Sequence, residues 1–166
     1  MAESAGQQWG EEELAEITVR CLTLNLHGMN LVLPNTLVAE VTELPTVTAA
    51  ANTPGWLSGF ISWRGRNVPL ISYERLLGQG ETTRSEETRM VVLNTLNANP
   101  RVPFIAMEIQ SLPRLSLLKH GMLEYEETEK KTEPVILARM RVEDESVVVP
   151  NIDAIERMLV NLGFSA

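Results

Sequence analysis

Few side chains in this sequence are of types that do covalent chemistry, and they do not converge. The two aspartates, Asp144 and Asp153, both fall late in the chain. The aspartate cluster at strand ends that a magnesium-dependent phospho-acceptor needs is therefore missing. The two histidines, His27 and His120, sit in turn contexts with no partner at i, i+4, which is a poor spacing for metal ligation. The single cysteine, Cys21, lies in an apolar run where a thiol packs as a small hydrophobe. It leaves no intramolecular disulfide and no Cys-rich zinc site. Gly78-Gln79-Gly80 lacks the third glycine and the helix start of a phosphate-cradling loop. Gly55-Trp56-Leu57-Ser58-Gly59 fails the nucleophile-elbow spacing. No catalytic residue, metal or cofactor is expected, and the chain is read as a non-enzyme.

What stands out instead is aromatic and apolar material near glycine turns: Trp56, Leu57, Phe60 and Trp63. Most of it belongs in a core, but aromatics left at a rim are interaction anchors. A net charge of −8, from 14 Lys+Arg against 22 Asp+Glu, argues against nucleic acid, because phosphate binding needs clustered positive charge. The only adjacent lysines, Lys130 and Lys131, sit among glutamates. No run approaches the roughly 20 apolar residues of a membrane span, so direct membrane insertion is not expected. The single thiol and a polar, acidic start without signal-peptide features imply a cytoplasmic location. Acidic charge, apolar strands and no catalytic set fit a protein that binds proteins.

The elements that must position these residues are mostly strands. Residues 1–16 read as a flexible acidic leader, and from Ile17 the texture changes to short β-prone runs broken by turn residues. Ile17 to Leu26 turns at His27-Gly28 into Met29 to Pro34. Leu37 to Leu44, if extended, places Val38 and Glu40 on one face and Leu37, Ala39 and Val41 on the other. Phe60 to Trp63 and Asn67 to Ser72 flank the hairpin-like turn Arg64-Gly65-Arg66. Tyr73 to Leu77 reads as one helical turn stopped by Gly78. The polar stretch 79–88 is the candidate hinge between two lobes. Three further strands span Met90 to Leu96, Val102 to Glu108 and Arg114 to Lys119, followed by a glutamate-rich loop from Glu124 to Glu133. Leu137 to Val142 pairs with Ser146 to Pro150. A final helix is capped by Asn151, striped by Ile152, Ile155, Leu159 and Leu162, and ended by Gly163. About ten strands with few helices give an all-β plan of two small barrels. The domain spans 17–162, with a tail at 163–166.

Between Val38 and Gly78 the residues resemble a known family. Val38-Ala39-Glu40-Val41, Asn52-Thr53-Pro54, Gly59, Trp63-Arg64-Gly65, Val68-Pro69 and Leu76-Leu77-Gly78 match, without a gap, the pattern of the CheW-like domain of bacterial chemotaxis coupling proteins. Beyond Thr88 the match rests on strand order and loose pattern. The chain departs from the family at Ser62-Trp63, where Asn-Leu is usual, at Ser72-Tyr73, where Asp-Leu is usual, and at Leu31 to Pro34. These departures suggest a specialised paralogue, by analogy one serving surface motility driven by type IV pili.

The resemblance implies two five-stranded SH3-like β-barrel subdomains sharing a core, with a C-terminal helix. It implies a non-catalytic adaptor that couples the cytoplasmic tip of a methyl-accepting chemoreceptor to the regulatory domain of a CheA-type histidine kinase. By carry-over, Val38, Glu40 and Val47 contribute to the kinase interface, and Arg64, Gly65 and Gly59 to the receptor interface. Arg64 would pair with the Glu40 carboxylate, a match of guanidinium fork to carboxylate. Two alternatives remain open. One is a single-partner decoy of the same fold that limits array assembly; the other is a small β-barrel ligand binder or enzyme.

Overall fold

Alternation along β1 (Thr18–Leu26) and β2 (Met29–Pro34) sends Leu22, Leu24, Leu26, Leu31 and Leu33 to one side and Cys21, Thr23 and Val32 to the other. Both faces find a core. The computed structural model that shows this describes residues 10, 12–13, 17–126 and 133–163. Most of the acidic leader, Lys130, Lys131 and residues 164–166 thus lie outside the described residues.

The remaining strands are β3 (Val38–Glu43), β4 (Leu57–Trp63), β5 (Arg66–Ile71), β6 (Arg89–Asn94), β7 (Phe104–Ile109), β8 (Arg114–Lys119), β9 (Leu123–Tyr125), β10 (Ile136–Val142) and β11 (Glu145–Pro150). They form a five-stranded sheet ordered β3-β6-β7-β5-β4 and a six-stranded sheet ordered β8-β1-β2-β11-β10-β9. The mostly β plan of two subdomains with a C-terminal helix stands. One sheet carries six strands because β9, at the start of the glutamate-rich stretch, pairs with β10.

Leu22, Leu24 and Val148 from the six-stranded sheet meet Leu57, Ile71, Val91 and Ile105 from the five-stranded sheet in one shared core. Burying each such side chain contributes about 1.5–3 kcal/mol. A second core of Ile61, Trp63, Val68, Leu70, Met90, Val92 and Ala106 fills the inside of the five-stranded unit, and Cys21, Val32, Leu118, Met140 and Val147 fill the six-stranded one. Helix α1 (Tyr73–Leu76) starts at Ser72, whose Oγ accepts from the Arg75 backbone N–H. The Tyr73 hydroxyl donates to the Val135 carbonyl at 2.8 Å, and burial pushes its phenol pKa well up. Helix α2 (Ile152–Asn161) is capped by Asn151 Oδ1, which accepts from the Ala154 N–H at 3.1 Å. It buries Ile152, Ile155 and Leu159, while Leu162, expected in the same stripe, is left at its exposed end.

The boundary between the lobes is not at 79–88. Strands β6 and β7, beyond that stretch, pair with β3 and β5 before it. The chain crosses between sheets at the 3-10 turn Asn35–Leu37 and again between β7 and β8. Residues 79–88 are instead clipped down as a strap. Arg84 Nε donates to the buried Glu108 carboxylate at 2.5 Å, Ser58 Oγ donates to its other oxygen at 2.8 Å, and Thr82 is hydrogen-bonded to Ser72. A hydrophilic stretch that supplies the partner for a buried carboxylate is part of the barrel, not a hinge.

Candidate protein-binding site

Strands β4 and β5 run antiparallel up to the pair Trp63↔Arg66, leaving Arg64-Gly65 as a two-residue turn. Both residues have positive φ, 47° and 73°, as tight hairpins with the twist of their strands require. Glycine takes this conformation without strain; arginine does not. The turn is exposed, whereas Trp63 beside it is 7% exposed and packed in the inner core.

Strand β3 runs at one edge of the same sheet, next to β6, with a bulge between Val38 and Glu40. The extra residue reverses the alternation expected for an unbroken strand. Val38 and Val41 therefore face the shared core together, and Ala39 packs on the inner core of the five-stranded unit. Glu40 accepts a hydrogen bond from Trp63 Nε1. The expected Arg64–Glu40 ion pair is not formed: one oxygen of the Glu40 carboxylate takes the indole N–H, and the Arg64 guanidinium lies 4.6 Å from the Trp63 ring centroid. The Trp63 ring meets Phe104 edge to face at 4.8 Å, and Arg66 lies 5.8 Å from the Phe104 centroid.

Downstream of β3, Thr48 and Phe60 exchange both backbone hydrogen bonds at 2.8 Å. This bridge joins the segment after β3 to β4, the far edge of the sheet, and so closes the barrel. Closure requires Gly59. Its φ is +144°, and a Cβ there would stand 2.3 Å from the Thr48 carbonyl oxygen and 2.9 Å from Val47 Cγ1. Val47, half-buried, packs on the inner core beside it.

The candidate residues are thus brought to one unit. Glu40 and Arg64 each contact Trp63, and Val47 adjoins Gly59; Val38 faces the shared core, and Gly59 is buried within the wall. Sequence reasoning missed Phe104 and Arg66, whose contact with the Trp63 group arises from pairing across β4, β5 and β7. The only local signal was the tryptophan standing where the family pattern has leucine.

Elsewhere, an apolar cavity of about 270 Å³ opens inside the six-stranded unit, lined in part by Val19, Cys21, Leu118 and Met140. Burial pushes the Cys21 thiol pKa up, away from a reactive thiolate. Among the described residues no group of three or more His, Cys, Asp or Glu is placed to hold a metal ion. No helix among them is long and apolar enough to cross a membrane.

A sequence model described as the CheW-like domain matches residues 20–158. Among solved structures, the crystal structure of the scaffolding protein TtCheW from Thermoanaerobacter tengcongensis is similar, with a TM-score of 0.70. The similarity covers 88% of this chain and 91% of that one at 14% identity, so it speaks to fold. No curated protein sequence matches.

Proposed function

The chain belongs to the CheW-like domain family, and on that premise we propose that it is a cytoplasmic, non-catalytic adaptor of a bacterial chemosensory array. It would couple the cytoplasmic tip of a chemoreceptor to the regulatory domain of a CheA-type histidine kinase. The observation that supports this reading most is the gathering of Glu40, Trp63 and Arg64 at an exposed hairpin and a neighbouring edge strand of a rigid barrel. Edge strands and exposed hairpins suit reversible association, since they offer unpaired backbone groups and protruding side chains.

In this reading Val38, Glu40 and Val47 contribute to the kinase contact, and Arg64 with Gly65 to the receptor contact. Gly59 acts through the wall that holds the hairpin. Val38 packs against the shared core, so a charge placed there would strike the fold as well as the contact. Val38→Thr and Arg64→Asn are the cleaner probes. In paired binding assays, Val38→Thr weakens capture of the kinase regulatory domain and spares the receptor-tip fragment, and Arg64→Asn does the reverse. Both variants should melt within a few degrees of the wild type. Unchanged binding in both assays would remove the site assignment.

A further inference from the structure

Among the described residues, the side chains of Arg64 and Arg66, like those of Arg20 and Arg101, form no ion pair or hydrogen bond within the protein. Arg84, Arg114, Arg139, Arg141 and Arg157 each meet a carboxylate within the protein. What sets the Arg64 and Arg66 side chains apart is that each guanidinium lies over an aromatic ring. Glu40, which shares Trp63 with Arg64, accepts the indole N–H.

Stacking on an aromatic face uses the flat side of a guanidinium and leaves its N–H edges for a second partner. The two rings are themselves held edge to face, and Trp63 is buried. The two forks are thereby ordered before anything binds, which reduces the entropy lost on binding. Arg64 also stands at φ 47°, a conformation that asparagine or glycine would adopt with less strain.

From this geometry we infer that Arg64 and Arg66, seated on Trp63 and Phe104, form a paired-guanidinium clamp for carboxylates on an acidic segment of a protein partner. The clamp deepens the partner-facing reading of Arg64 proposed above and rests on it. It adds Arg66 as a second contact and Trp63 and Phe104 as positioning residues. In a chain of net charge −8, two unpaired guanidiniums at one hairpin select an acidic partner locally while the remaining surface repels it.

The test is an NMR titration of the full chain at low salt with a short glutamate-rich peptide, its glutamine counterpart and an oligo-deoxythymidine. It is run beside capture of a receptor-tip fragment. The glutamate peptide should shift the Trp63 indole resonance, and the Arg64→Asn, Arg66→Gln double variant should bind it about tenfold more weakly with no fall in Tm. Equal binding of the glutamine peptide, or of the double variant, would overturn the clamp. Tighter binding of the oligonucleotide would overturn it in favour of phosphate. If the peptide result holds but the wild type captures no receptor fragment, the clamp stands and the receptor assignment falls. If wild type and double variant capture the receptor fragment equally, the clamp falls and the coupling reading stands.

Discussion

At Gly59 a single hydrogen atom decides whether the five-stranded barrel closes. The Thr48–Phe60 bridge brings the Thr48 carbonyl oxygen to 2.3 Å from where a Cβ would stand. Gly59→Ala must break that bridge or push the strand out, and should cost about 3 kcal/mol or more in a denaturant titration. A loss below about 1 kcal/mol would mean that the segment after β3 moves freely and that closure is not structural. Glu40 makes a related point. A carboxylate and an arginine at these positions suggest an ion pair, but in this chain both side chains meet Trp63 instead, Glu40 at the indole N–H and Arg64 over the ring.

Elements were legible from the sequence where the signal is local. The Arg64-Gly65 turn, the single turn after Ser72 and the Asn151-capped helix are each specified by residues next to one another. Faces were misjudged at β3, because a bulge inserts one residue and no local feature of Val38-Ala39-Glu40 announces it. The strap at 79–88 was misread for a different reason. Its polarity suggests solvent, yet Arg84 serves the buried Glu108 across β7. Arg84→Ala leaves that carboxylate with Ser58 alone. As Arg84 is half exposed, the cost should be about 1–3 kcal/mol, with faster hydrogen exchange confined to 79–88 and the start of β6. Unchanged exchange there would show that the strap is held by other contacts.

For the whole molecule, the two barrels could be anticipated from strand number, but not their membership. Pairing of β1 and β2 with β8 and β11, and of β5 with β7, joins distant segments through contacts that leave no local trace in sequence. Each sheet therefore draws strands from both halves of the chain. Fragments 17–78 and 89–162, expressed separately, should show no cooperative unfolding, whereas the intact chain should unfold in one transition. Two independently melting fragments would contradict the interleaved topology. Interleaving also bears on the proposed role, because the shared core braces the five-stranded unit on which both proposed contacts lie.

The central claim is that one molecule bridges two partners. Co-sedimentation of the purified chain with a receptor-tip fragment and a kinase regulatory domain, singly and together, tests it most directly. Bridging predicts that the kinase fragment pellets with the receptor fragment only when this chain is present, beyond the sum of the pairwise controls. Capture of one partner alone, with no gain in the three-component mixture, would contradict it and identify a single-partner decoy.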